Sequence, residues 1–172
     1  MSNKLITTEN SNELKLNTKW VLWYHSPEEK NWDITSYILI KEFNTITDFW
    51  EIFRLLTPIQ IQYGMFFLMR HNIMPTWEDP KNINGGSWSF KISKKDTYDA
   101  WLNLCVSAIG EKITENLENS ININGITISP KKNFSIIKIW NSENNLSDND
   151  IISSNIPFIQ MEECLYSEHN KN

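Results

Sequence analysis

The stretch MPTWEDPKNINGGSW, Met74 to Trp88, sets the indole of Trp77 directly against two acids, Glu78 and Asp79, in what reads as a polar loop. The loop closes on Gly85, Gly86 and a second indole, Trp88. A soluble chain ordinarily hides its indoles, so an exposed Trp-Glu pair asks for a use. Bond-making chemistry is a poor candidate. The three histidines, His25, His71 and His169, are scattered and lack partners at ligand or triad spacing. Gly85–Gly86 has neither the spacing nor the lysine of a phosphate-binding loop. Cys105 and Cys164 have no C-x-x-C spacing, so neither a disulfide framework nor a zinc site is expected, and a reducing compartment fits. The expectation is a binding protein, not an enzyme, with no cofactor and no metal.

The elements that must position this loop fit in 172 residues, the size of one domain. A hydrophobic content of 40% and a charged content of 22% are ordinary for a globular chain. A net charge of -5 argues against gripping DNA or other nucleic acid by bulk electrostatics. No apolar run approaches the roughly 20 residues that span a bilayer, and the start of the chain lacks a signal-peptide core. The cytoplasm is the expected compartment, with the nucleus as the alternative. Eight tryptophans are the unusual count, and so many large indoles suggest that several lie on surfaces.

Residues 1–17 read as a flexible polar tail and 18–172 as the domain. KWVLWYH, Lys19 to His25, has strand composition. SPEEKN, Ser26 to Asn31, is a loop delivering Trp32, and SYILIKEF, Ser36 to Phe43, is a second strand. NTITDFWEIFRLLTP is a helix capped by Thr45 with Asp48 and followed by Pro58. Phe49, Ile52, Phe53 and Leu56 form its core stripe. At about 100° per residue, Ile46 and Trp50 fall on an edge the core does not need. DTYDAWLNLCVSAIGEKI is a second helix, starting near Asp96 or Thr97 and weakened at Gly110. Trp101, Leu104, Cys105 and Ala108 face its core, and Leu102, Val106 and Ile109 make a second apolar strip. The surplus apolar edges fit either a docking surface or cover by another element of the same domain. SININGITISPKKNFSIIKIW alternates apolar and polar residues around Asn124–Gly125. That permits a two-residue hairpin there, or a glycine bulge in one strand with the turn at PKKN. IPFIQMEECLY offers a last short strand. Strands flanking two long helices indicate an α+β fold.

In order, KWVLWYH, TITDFWEIF, MPTWEDPKNINGGSW, DAWLNLCVSAIGE and IIKIW resemble the signature segments of the eukaryotic translation initiation factor 4E family, the messenger-RNA cap-binding proteins. The resemblance runs from about Leu14 to Trp140 and includes all eight tryptophans. It implies a curved antiparallel sheet with helices packed on its convex face and a cap pocket on the concave face. Trp32 and Trp77 match the indoles that sandwich the 7-methylguanosine base, Glu78 the carboxylate that reads it, and Trp140 the residue at the methyl group. Physical chemistry favours those roles. N7 methylation gives guanine a delocalised positive charge, and indole is the best cation–π side chain. Each stacked face contributes roughly 1–3 kcal/mol. A carboxylate accepts from N1–H and N2–H₂ together, about 1.5–3 kcal/mol per bond, whereas adenine offers no such donors.

The resemblance also implies partners: capped messenger RNA, and a scaffold of the initiation factor 4G type or inhibitors carrying a Tyr-x-x-x-x-Leu-aliphatic helix. Those would dock on Ile46, Trp50, Leu102 and Val106. Two departures alter the expected chemistry. Ser87 stands where the family carries a phosphate-binding Arg before Trp88, and Ser129 where a second is expected. This alignment makes the segment around Gly125 one strand with a bulge. Lys131, Lys132 and Lys138 are then the candidate phosphate cations, and Lys138 shares a strand face with Trp140 by period-2 alternation. LKL (Leu14–Leu16) replaces His-Pro-Leu, and Asn103 replaces a Glu that pairs with partner cations. After Trp140 the family's third helix is not recognisable. The Ile-, Asn- and Lys-heavy composition points to an AT-rich genome, as in a large DNA virus or a protist. A homologue that sequesters caps or scaffold and represses translation is the alternative to an initiation factor.

Overall fold

The computed structural model describes residues 13–170. Along the chain run β1 (Lys15–His25), β2 (Ile38–Thr45), α1 (Ile46–Leu55), α2 (Pro58–Tyr63), β3 (Met65–Arg70), β4 (Gly86–Ser93), α3 (Thr97–Ile109), α4 (Leu117–Ser120), β5 (Ile123–Pro130), β6 (Phe134–Asn141) and β7 (Leu165–Glu168). The strands form one seven-stranded curved sheet in the order β2-β1-β3-β5-β6-β4-β7, with antiparallel pairing throughout. This is the α+β architecture expected.

Strand parity sorts the side chains into two layers. Trp20, Leu22, Phe66, Leu68, Ile126, Ile128, Ile137 and Ile139 point to the helix side, where they pack with Phe49, Ile52 and Phe53 of α1 and Trp101, Leu104 and Cys105 of α3. The intervening residues point the other way. Phe67, Met69 and Trp140 form a second, smaller cluster there with Ile73, Trp23, Tyr37 and Met65. One register row crosses that open face, Trp23 opposite Phe67, Phe67 opposite Thr127, and Thr127 opposite Lys138.

Local chemistry sets the element ends. Thr45 Oγ1 accepts the Asp48 amide at 3.1 Å and starts α1 as expected. Pro58 does more than end that helix. With Thr57 and Gln60 it opens α2 through a reciprocal capping box, a helix the sequence reading did not assign. Opposite β6, the register slips between Ile123 and Gly125, so the glycine is a bulge and the turn lies at Pro130–Phe134. A Cβ at Gly125 would sit 2.4 Å from Met69 Sδ and 2.7 Å from the Leu68 carbonyl oxygen, so only glycine fits against β3.

Four expectations shift. β1 begins at Lys15, inside the stretch read as a tail, because Lys15 pairs with Thr45 and the Leu14 carbonyl accepts the Ile46 amide at 3.0 Å. Residues 1–12 of that tail lie outside the described residues. β2 begins at Ile38 rather than Ser36, since Ile34–Ser36 makes a 3-10 turn in which Ser36 Oγ donates to the Asp33 carbonyl at 2.7 Å. Ile109 is buried rather than part of an exposed strip, while Val106 remains open. In the tail segment, Ile156 and Ile159 enter the core and the strand forms later, at Leu165–Glu168.

Candidate ligand pocket and docking face

On the open face, Trp32, Trp77, Glu78, Lys138 and Trp140 line a single cleft of ≈ 350 Å³, with Tyr37, Phe67, Ser87 and His169 among the other walls. That volume is at the small end of ordinary ligand sites. Trp32 and Trp77 are 52% and 47% exposed, whereas Trp20, Trp88 and Trp101 are wholly buried. The cleft thus takes the two outermost indoles and leaves the structural ones in the core.

Trp32 is delivered by a loop that ties itself together. The Asn31 amide donates to Glu29 Oε1 at 2.8 Å and the Asp33 amide to Asn31 Oδ1 at 2.9 Å. Behind the indole lies His25, whose ring is parallel to it within 4° at 4.3 Å between centroids. Tyr37 meets the same indole edge-on at 6.4 Å, and its phenol is pushed up to about 12 by burial and by the charge of Glu78.

Trp77 and Glu78 stand on a loop held by two side chains. Asp79 accepts the Met74 amide at 2.9 Å through Oδ2 and the Lys81 amide at 2.8 Å through Oδ1. It is a structural carboxylate. Asn82, fully buried, donates from Nδ2 to the Met74 carbonyl at 3.0 Å and the Thr76 carbonyl at 2.8 Å, and accepts from Asn124 Nδ2 at 2.9 Å. The Gly-Gly pair closes this loop because nothing larger fits: a Cβ at Gly85 would lie 1.9 Å from the Asn141 carbonyl oxygen.

Trp140, 8% exposed, comes from β6 and packs tilted against His169 at 4.6 Å. His169 donates from Nδ1 to the Asn82 carbonyl at 2.8 Å, which links this wall to the Trp77 loop. Burial holds the His169 imidazole below its ordinary value; the Asn82 carbonyl opposes the shift and Lys138 adds to it. Lys138 shares the strand face of Trp140 and reaches the cleft, its amine pushed down by burial and then by Lys131. Lys131 and Lys132 sit exposed in the β5–β6 turn, outside the lining. Ser87, buried opposite Trp140, lines the cleft where a longer cation was expected, and Ser129 does not. With Glu78 and Glu168 against Lys138, the lining favours a cationic ligand.

A larger cleft, ≈ 960 Å³, lies across the same loop and is lined by Lys19, Arg70, His71, Lys81 and Asn144 among others. Its largest charged groups are already engaged in ion pairs. Arg70 pairs with Glu111 and donates to the Ile123 and Ser120 carbonyls, and His71 meets Glu42 at 2.9 Å. The smaller cleft instead presents free aromatic faces.

The sequence reading missed His25, Tyr37 and His169. Parity could have found the first, since His25 alternates with Trp23 on β1 and lies opposite Met65, a cleft residue. His169 reaches its place through β7, whose pairing with β4 no short-range pattern announces.

On the helix side, Ile46, Trp50 and Val106 are 38%, 40% and 42% exposed, and Leu102 is half-buried against the core. Trp50 is braced edge-on by Phe49 at 5.1 Å. Asn103 spends its amide on the Asp99 carbonyl at 2.8 Å.

Comparison with known proteins places this arrangement. The family model for eukaryotic initiation factor 4E matches residues 15–172. Eukaryotic translation initiation factor 4E of Saccharomyces cerevisiae is 34% identical over 134 residues, 73% of this chain and 60% of that protein. The Drosophila melanogaster factor 4E1 is 32% identical over 146 residues, 81% of this chain and 54% of its own. The chain therefore spans only about 60% of the length of the yeast relative it matches. Among solved structures, Ascaris suum eIF4E-3 in complex with an m2,2,7G cap shares the fold, with a TM-score of 0.77 at 22% identity over 93% of each chain. A schistosome eIF4E complexed with m7GpppG and 4E-BP aligns with a TM-score of 0.71 at 26% identity, covering 78% of this chain and 75% of that one. By the match of the family model over nearly its whole length, the chain belongs to the eukaryotic initiation factor 4E family.

Proposed function

We propose that this protein binds the 7-methylguanosine cap of messenger RNA and presents a helix-side ledge to a scaffold that recruits the translation machinery. The base would lie between Trp32 and Trp77, Glu78 would accept from its N1–H and N2–H₂, and Trp140 would meet the N7 methyl. The observation that carries this reading is the convergence of Trp32, Trp77, Glu78 and Trp140 on one cleft from three distant stretches of chain. The charge balance adds support, because a methylated guanine is a cation and the lining holds more carboxylates than amines. Lys138, in the cleft lining, would be the cation nearest the triphosphate, and Lys131 and Lys132, exposed in the β5–β6 turn, would meet phosphates further along the RNA.

Relatives point the same way, since the schistosome protein of similar fold was solved with m7GpppG and 4E-BP. The activity is binding, so capped RNA incubated with the protein should be recovered intact. The decisive test is calorimetric titration with 7-methylguanosine triphosphate and with unmethylated GTP, using wild type and Trp77→Ala. Tight, methyl-dependent binding lost in the variant supports the proposal; equal binding of both nucleotides, or none, overturns it. For the ledge, Trp50→Ala should weaken capture of a Tyr-x-x-x-x-Leu-aliphatic helical peptide by about tenfold or more, as expected for an aromatic anchor, while cap affinity stays unchanged.

A further inference from the structure

We propose that a second aromatic cleft, at the far end of the open face and lined by Phe134 and Phe158, takes the base of the first transcribed nucleotide of a capped RNA. This rests on the reading of the Trp32–Trp77 cleft as the cap site. The second cleft measures ≈ 370 Å³, close to the ≈ 350 Å³ of the first, and the two share no lining residue.

Strand parity joins the two sites. Along β6, Phe134, Ile136, Lys138 and Trp140 alternate with Ser135, Ile137 and Ile139, which are wholly buried on the helix side. Phe134 therefore stands on the same strand face as Lys138, four places away, about 13 Å at roughly 3.3 Å per residue. A 5′–5′ triphosphate with its riboses can cover that span. The register rows between the clefts set Ser129 and Ile136 beside Lys91, and Thr127 and Lys138 beside Ser89. With the adjoining turn, these positions carry Lys91, Lys131, Lys132 and Lys138 and no carboxylate, on a chain of net charge -5. Burial and then the charge of Lys131 push the Lys138 amine down, so the two lysines crowd one stretch of the face that a phosphate would neutralise.

The second cleft suits a flat ring. Lys91 Nζ lies 4.8 Å over the centroid of the Phe134 ring, and Lys91 forms no ion pair among the described residues. Its ammonium is thus available to a phosphate of the strand whose base lies against the phenyl ring. Phe158 is 43% exposed and sits at φ 69°, a left-handed conformation that bulky side chains rarely adopt. An apolar ring kept in solvent on a strained backbone lowers stability, and such outliers gather at ligand sites. Asn133, Gln160 and Glu163, all exposed, add hydrogen-bonding groups to the lining, while Asp96 already accepts from Ser93 Oγ at 2.6 Å. An RNA strand brings anions and flat rings in alternation, the pattern that these lysines and phenyl rings complement. Such stacking accepts any base, because every base has a π face.

The test is calorimetric titration of wild type, Phe134→Leu and Phe158→Gly with 7-methylguanosine triphosphate and with a capped RNA of about five nucleotides. Leucine fills the half-buried site of Phe134 without a π face, and glycine accepts the left-handed backbone at position 158. Wild type should bind the capped RNA about five- to thirtyfold more tightly than the nucleotide, the worth of one stacked base. Each variant should lose most of that gain and still hold the nucleotide within about twofold of wild type. No gain in wild type, or a gain that the variants keep, overturns the proposal. A second readout places 2-aminopurine at the first transcribed position. Stacking should quench its fluorescence on wild type and less so on Phe134→Leu, and equal quenching overturns the proposal as well. If wild type fails to hold the nucleotide itself, the cap reading falls and this proposal with it. Tight binding of the nucleotide with no effect of either ring removes the second cleft alone.

Discussion

Replacing Asn82 with alanine tests whether the Trp77–Glu78 loop is held in place before any ligand arrives. The side chain makes three hydrogen bonds, to the Met74 and Thr76 carbonyls and from Asn124. Each buried bond is worth about 1 kcal/mol net. Asn124 keeps a second partner in the Lys81 carbonyl at 2.6 Å, and the Met74 carbonyl belongs to an exposed residue that water can reach, so the sum is roughly 2–3 kcal/mol. For a chain of this length that corresponds to a fall in Tm of about 5–10 °C. About 2 kcal/mol of that stabilises the loop in its binding geometry, so cap-analogue affinity should drop by up to about thirtyfold. Asn82→Asp should be worse than Asn82→Ala, since a carboxylate keeps the Asn124 bond but faces two carbonyl oxygens. Thermal unfolding, calorimetric titration and amide hydrogen exchange across residues 74–83 give the three readouts. If Asn82→Ala leaves both exchange in that segment and affinity at wild-type values, the loop is not ordered by this side chain and the reasoning fails.

Other expectations follow from the same geometry. Glu78→Gln retains shape but replaces a charge-assisted acceptor pair, so affinity for 7-methylguanosine triphosphate should fall by about 10- to 150-fold and preference over a methylated adenosine analogue should shrink; unchanged selectivity would count against Glu78 as the reader. With one lysine in the lining, the salt dependence of cap-analogue binding should be shallow, and Lys138→Ala should flatten it by about one phosphate contact, near 0.7 in log–log slope. A steep slope that Lys138→Ala does not change would place the phosphates elsewhere. Because burial depresses the His169 imidazole, the unfolded chain takes up its proton first as pH falls. The stability that the neutral ring contributes is therefore complete above the ordinary value of 6.5 and lost as pH drops below it. Urea unfolding at pH 7.5 and 5.5 should show this loss in wild type and a smaller one in His169→Gln.

The sheet side of this architecture was readable because period-2 alternation is rigid. Lys138 and Trp140 had to share a face, and the structure puts both in the cleft. Helix periodicity did the same for Phe49, Ile52 and Phe53 inward and Trp50 outward. Glycine at position 125 was ambiguous between hairpin and bulge because both need a residue without Cβ; the approach of Met69 decides, and Met69 is 56 residues away. α2 was hidden by reading Pro58 as a stop, although proline suits a first helical turn equally well. The imidazoles were set aside for lack of ligand spacing, yet His25 and His169 act through ring contacts that no ligand spacing reports. The sequence marks Ser87 as a missing cation, and the fold sets it opposite Trp140 in the cleft lining, where a hydroxyl replaces the longer side chain.

Among the described residues, β7 pairs along one side only, with β4, and offers four residues to do it. Its Ser167 and Glu168, with the adjoining His169, nevertheless form one wall of the cleft. Short edge strands belong to the part of a fold that opens below the free energy of global unfolding, and here the bonds of His169 to Asn82 and Gly85 work against that opening. If the proposed ligand leaves past this margin of the sheet, a staple fixing β7 to β4 should lengthen its residence time without adding a single contact to the molecule itself, and an unchanged dissociation rate in the stapled protein would refute that route.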